Sequence, residues 1–306
     1  MKRHTHIFFV IALLFMQLNN TSASAQSCAG QPVAVQILGS GGPTLNRLRA
    51  SSSYLLWIDN RARVLIDLGG GAYLRFAEAG AKLSDLSLLA VTHLDPDHIA
   101  GLPALLWLSN RSRTEPLPTV GPSGNDIVPG YSTFLYRLFD GKNGAFQIMG
   151  SALGDAQTYS QQSVRLDVSV VDAAKAEPST VYNRAGMTVT ALGVPHGEVP
   201  TLAYRVQTHG VSIVIGSDQT GTNPAFVRFA RGANVLIMHL TIDAGTKHPV
   251  HAAPDVVGQI AQEAQVGRLI VSHIGPIDRH AAISELKRFY SGPLTIGADL
   301  QCTQVR

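Results

Sequence analysis

The densest group of chemistry-bearing residues lies in one turn: Thr92, His93, Leu94, Asp95, Pro96, Asp97 and His98. The alternating spacing of His93, Asp95 and Asp97 aims donor groups at one point, and His98 adds a nitrogen beside it. Mixed nitrogen and oxygen donors of this kind suit borderline cations such as zinc. The same residue types also make an ordinary solvated turn whose aspartates cap a helix. The flanks give the turn a fixed place: residues 86–92 read as a buried strand, and residues 99–107 can continue as a helix.

Other apolar runs end in the same way. Residues 187–192 deliver His196, residues 211–217 deliver Asp218, residues 234–238 deliver His239, and residues 269–272 deliver His273. Open sheets place their chemistry at the carboxyl ends of strands. A lone histidine is more often an ordinary surface or core residue, and His209 and His280 are read so. Five separate strand ends that all carry metal-type side chains are harder to explain in that way. Asp67 ends a further strand, residues 63–67, just before Gly69, Gly70 and Gly71. It can support a metal ligand from behind or cap a helix over residues 72–79, and the sequence does not decide between them.

The elements that position these tips come from one long apolar chain. Residues 33–38 form a strand that ends in a Gly-rich turn, residues 39–43, which lacks the GK[ST] ending of a phosphate loop. Residues 54–58 and 63–67 pair as a hairpin around Asp59 and Asn60. Pro254 opens a helix whose core face is Val256, Val257, Ile260, Ala261 and Ala264. Residues 109–160 carry little pattern beyond a helical spacing over residues 131–139.

Lys2 and Arg3, an apolar run from Ile7 to Met16, and Ala23-Ser24-Ala25 read as a cleavable signal peptide over residues 1–25. The run is too short to span a bilayer, which takes about 20 residues. Residues 26–306 then form one α/β domain of ordinary size, periplasmic or secreted. A lipid anchor on Cys28 is disfavoured by Gln26 next to the site. Loss of Lys2 and Arg3 lowers the formal charge from +3 to +1, with no Lys/Arg cluster. That argues against a dedicated nucleic-acid surface. No later segment spans a membrane, and a homo-oligomer stays open. Cys28 and Cys302, one near each end, are expected to form a disulfide, with two free thiols as the alternative.

Taken in order, these motifs resemble the metallo-β-lactamase superfamily, and within it the ribonuclease Z-like branch of metal-dependent phosphodiesterases. The resemblance rests on residues 37–41, 65–69 and 92–98, Gly101 to Pro103, Gly121-Pro122, Pro195-His196, Gly216 to Asp218 and Ser272-His273. It implies an α/β fold, the four-layer αββα sandwich, with two divalent metals at one edge. One metal would take His93, Asp95, His196 and Asp218. The other would take Asp97, His98, Asp218 and His273, with Asp218 bridging. His251 falls where the branch carries a histidine that protonates the leaving group, with His248 as a possible substitute. Asp97 and His251 are the candidate catalytic residues.

Two positions depart from the family pattern. Asp95 stands where the motif HxHxDH has its second histidine, which leaves the site with one net positive charge rather than two. Zinc is expected, with manganese or iron favoured somewhat more by the extra carboxylate. Met238 and His239 stand where relatives carry His and Glu, so the partner that orients His251 is exchanged. Asp95 and His239 are expected to be paired changes in one network. The implied reaction is phosphodiester hydrolysis of small substrates. The metals bring the pKa of a bridging water towards neutrality so that hydroxide attacks, and His251 acts as general acid. Alternatives are another ester or amide (a lactone, a β-lactam, a sulfate ester), or a degenerate member that binds a metal or ligand without turnover.

Overall fold

The computed structural model describes residue 28 and residues 30–109, 112–154 and 164–306. The expected signal peptide lies outside them. Among the described residues, fourteen strands divide into two sheets. The first sheet begins with β1 (Val33–Gly39), β2 (Ser53–Ile58), β3 (Arg61–Ile66), β4 (Leu88–Ala90), β5 (Leu117–Pro122) and β6 (Leu166–Val171). The second holds β7 (Ser179–Arg184), β8 (Met187–Val194), β9 (Thr201–Thr208), β10 (Val211–Ile215), β11 (Val235–Leu240), β12 (Leu269–Ile274) and β13 (Leu294–Ile296). The last strand, β14 (Cys302–Gln304), returns to the first sheet. The orders are β14-β1-β2-β3-β4-β5-β6 and β13-β12-β11-β10-β9-β8-β7.

Strand alternation sorts the core into three layers. Val33, Val35 and Ile37 of β1, Val64 and Ile66 of β3, and Ile213 and Ile237 of the second sheet fill the space between the sheets. Their neighbours Ala34, Leu38 and Leu65 face outwards. There they meet α1 (Ala72–Glu78), α2 (Pro96–Ile99), α3 (Leu102–Leu108) and α4 (Tyr131–Phe139). On the far side Val214 and Leu236 pack under α5 (Pro224–Ala230), α6 (Pro254–Glu263) and α7 (Arg279–Phe289). Strands covered on both faces need apolar residues at every position, which explains the unbroken apolar runs. The result is a four-layer αββα sandwich.

The sheets are joined where the strand tips meet. Leu202 donates its N–H to Thr92 O (2.9 Å), the Tyr204 hydroxyl to Val91 O (2.8 Å) and Ile274 N–H to Ser40 O (2.9 Å). At the start of β14, Cys302 forms a disulfide with Cys28, with Cα atoms 5.6 Å apart and a sequence separation of 274. Opening a loop that long releases much chain entropy to the unfolded state. Cys302→Ser is therefore expected to cost about 2–5 kcal/mol, read as a lower denaturation midpoint. A midpoint equal to that of the oxidised parent would contradict this.

Candidate metal centre

His93 to His98 run from the turn after β4 into α2, which Pro96 opens. Two glycines make the turn possible. A Cβ on Gly69 would lie 2.1 Å from Asp97 O, and one on Gly101 2.7 Å from Gly69 O. Only bare backbone allows the 67–69 loop to lie against the helix start. Three residues that shape the site hold the left-handed backbone that side chains disfavour: Asp67 (φ 59°), Ser217 (φ 59°) and His273 (φ 49°). Such strain persists where surrounding structure enforces it and concentrates at functional sites.

Four imidazoles are oriented by one device. His93 Nδ1 lies 3.0 Å from Thr92 Oγ1, whose own proton goes to Asp67 Oδ2 at 2.8 Å. His98 Nδ1 lies 2.8 Å from the same Asp67 oxygen. His196 Nδ1 donates to Val250 O (2.8 Å). His273 Nδ1 lies 2.9 Å from Thr241 Oγ1, which is committed as donor to His273 O. With each Nδ1 proton taken outward, each Nε2 is left as a lone-pair donor facing inward.

The inward atoms converge on three carboxylates. Asp95 Oδ2 is 3.5 Å from His93 Nε2 and 3.6 Å from His196 Nε2. Asp97 Oδ2 is 3.1 Å from His273 Nε2 and 3.8 Å from His98 Nε2. Asp218 Oδ2 is 3.2 Å from His273 Nε2, 3.6 Å from His98 Nε2 and 3.8 Å from His251 Nδ1. Two groups have donor atoms all within 4.8 Å of one another: His93, His196 and Asp218, and Asp97, His98 and His273. The buried His93 Nε2, His98 Nε2 and His251 Nδ1 have no hydrogen-bond partner among the described residues. Buried polar atoms are rarely left so. Unsatisfied nitrogens beside ionised carboxylates are the donor set a divalent cation takes, and the residues fit such a group.

The electrostatics match. Burial opposes ionisation of Asp218, yet the charges of His273 and His98 hold it well below the usual carboxylate range. Asp95 is lowered by His196 and His93. Burial lowers His239 to about 4, and burial followed by the charge of His239 lowers His251 to about 3. His98 is raised, because Asp218 and Asp67 overcome its burial. In the chelated protein, therefore, His239 and His251 remain neutral where unfolded histidine takes a proton near 6.5. The unfolded chain binds more protons below that value, so stability falls as pH drops from 6.5 to about 4. The melting temperature of EDTA-treated protein should decline over that window, and less so in His239→Gln. A flat profile would count against the buried neutral pair.

The geometry bears on two further positions, Asp67 and the pair Asp95 and His239. Asp67 does not cap α1, whose N-cap is Gly71 without a side-chain bond; it holds Thr92 and His98. Asp95 and His239 do not touch each other, but a chain of neighbours joins them through His196 and His251, whose rings stand 5.3 Å apart. Asp95 faces His93 and His196, whereas His239 Nε2 lies 2.9 Å from Gln219 O and its ring stands 5.1 Å from that of His251. His248 stacks on the outer side of His251 at 5.2 Å. His209 and His280 are exposed, and His209 pairs with Asp59 at 3.2 Å.

Residues 62–274 match the family model described as Beta-lactamase superfamily domain. The chain belongs to the beta-lactamase superfamily. With this family and this donor set it is a metal-dependent hydrolase. Among curated relatives, ribonuclease Z of Mycobacterium bovis is 27% identical over 291 residues, covering 89% of this chain and 98% of that protein. The metallo-beta-lactamase fold protein YhfI of Bacillus subtilis superposes with TM-score 0.69 at 20% identity, over 89% of this chain and 99% of that one. Human tRNase Z, short form, superposes with TM-score 0.66 at 19% identity, with the same coverage. These relatives correct the expectation of a small-molecule ester partner without nucleic acid. Net charge summed over a chain does not report the local surface that holds a nucleic acid, and single strands are also gripped by stacking on aromatic side chains.

Proposed function

We propose that this chain is an exported, binuclear metal-dependent phosphodiesterase that cleaves phosphodiester bonds of RNA. The observation that carries the reading is the set of four Nε2 atoms turned inward onto Asp95, Asp97 and Asp218. His93, Asp95, His196 and Asp218 would hold one cation; Asp97, His98, Asp218 and His273 would hold the second, with Asp218 shared. Two divalent cations, zinc first and manganese or iron next, supply Lewis-acid polarisation of a phosphoryl oxygen and a nucleophile from water near neutral pH. The RNA class rests on the curated relatives named ribonuclease Z.

The protein's own groups do the positioning. Asp97 orients the attacking water through its carboxylate. His251, neutral through burial, donates a hydrogen bond to the leaving oxygen; nearby cations would lower its basicity further, so it does not act as a preformed imidazolium. Asp67, Thr92, Thr241 and Val250 O hold the ring orientations. Export is supported by the pattern from Lys2 to Ala25 and by the disulfide, a bond of oxidising compartments.

The test is turnover of bis-p-nitrophenyl phosphate and of a single-stranded RNA by purified protein supplied with Zn, Mn or Fe. Chelator-sensitive cleavage of both is expected. Cleavage of neither under any metal would reject the phosphodiesterase and favour binding without turnover.

A further inference from the structure

Beside the metal-binding turn lies a recess of about 630 Å³ whose described lining residues are all apolar. Its walls come from α2, α3, α4 and the 3-10 segment Gln147–Leu153. Leu94 and Pro96, the two neighbours of Asp95, form its edge on the catalytic side. Trp107, Phe134 and Phe146 supply aromatic surface, and Trp107 (38%) and Phe146 (43%) are substantially exposed. The volume is that of a pocket that holds one small organic group. Apolar surface left in contact with water is costly and marks a place where something binds.

A second recess, about 510 Å³, is lined by Ser123, Asn125, Asp172, Lys175, His196 and Glu198 among others. The apolar recess borders the metal-binding turn through Leu94 and Pro96, and the polar one borders the centre through His196. A substrate held at this centre has room for a flat apolar group in the first recess, next to the metal-binding turn. No cation lines the apolar recess, so it is not built to hold phosphate.

Resting on the RNA reading above, we propose that the recess formed by Leu94, Pro96, Trp107, Phe134 and Phe146 takes one unstacked nucleobase adjacent to the scissile phosphodiester. Single-stranded RNA is recognised by splaying bases onto aromatic side chains, and a stack of this kind does not require base-specific hydrogen bonds. Continuity with the metal-binding turn through Leu94 and Pro96 sets the occupant as part of the substrate rather than a separate partner.

Trp107 reports on the recess directly. The chain has two tryptophans, and the other, Trp57, is buried and donates to Gln36 Oε1 at 2.9 Å. Metal-loaded protein is titrated with a phosphorothioate-linked hexaribonucleotide, which resists hydrolysis, and with an abasic chain of the same length and charge. Saturable quenching of Trp107 is expected with the base-containing chain, with Kd about tenfold weaker for the abasic one and for Phe146→Ala. Equal affinity for both chains, or no quenching by either, would overturn the proposal. So would quenching by decanoate alone, which assigns the recess to an acyl group. Failure of the phosphodiesterase reading is seen separately: turnover would be absent under every metal even though base-dependent quenching persists.

Discussion

Replacing Asp218 by Asn is expected to lower kcat for phosphodiester cleavage by roughly a thousandfold, with loss of at least one metal per chain. Asp218 is the one carboxylate within reach of both donor groups: it belongs to the set with His93 and His196, and its Oδ2 lies 3.2 Å from His273 and 3.6 Å from His98. An amide keeps the shape but removes the negative charge that two cations would share. Cation-based stabilisation of phosphoryl charge is worth several kcal/mol, and about 4 kcal/mol corresponds to three orders of magnitude in rate. Asp218 is 3% exposed, so the variant is checked by circular dichroism before its metal is counted. Near-parental kcat with a full metal complement would show that Asp218 bridges nothing.

The largest stability effect is expected at Asp67. Its Oδ1 accepts from Thr92 N–H at 2.7 Å; its Oδ2 accepts from Thr92 Oγ1 at 2.8 Å and lies 2.8 Å from His98 Nδ1. All of these groups are buried. Asp67→Ala strands them, a loss of about 3–5 kcal/mol by analogy with broken buried pairs. It also places at φ 59° a residue that tolerates the left-handed region less well than Asp does. Because Asp67 fixes the His98 ring and, through Thr92, the His93 ring, metal affinity should fall about 10- to 100-fold. Denaturant unfolding of chelated protein and zinc titration measure the two effects separately. Asp67→Asn, which retains one acceptor, should lose less of each. Unaltered zinc affinity in Asp67→Ala would mean the ring orientations need no support.

Much of this arrangement is legible in the chain itself. Strands such as β10 and β12 are covered on both faces, so they appear as unbroken apolar runs, and the polar residue that ends each run marks its tip. Other elements leave weaker traces. β5 contains Pro118 and Pro122 and reads as punctuation. β7 lies at a sheet edge, where little of it is buried. β9 interleaves Arg205 and Gln207 with its core residues and follows Pro200.

Within the site, the donors are visible because His and Asp are sparse and their spacing is distinctive. The groups that aim them are not. Thr241 and the Val250 carbonyl have no signature in type or spacing, and they reach His273 and His196 only through the fold. Thr92 stands inside the motif, yet its role depends on Asp67, 25 residues earlier. The link between Asp95 and His239 is equally hidden, because it runs through His196 and His251 rather than by direct contact. Net charge misled on the substrate because a sum over the surface hides what lines one groove.

The most direct test of the binuclear centre is metal content of the purified protein by mass spectrometry, compared with His196→Ala and His273→Ala. Two equivalents per chain are predicted for the parent and about one for each variant, because His196 and His273 belong to different donor groups. One equivalent or none in the parent, or no loss in either variant, would contradict a centre built from both groups.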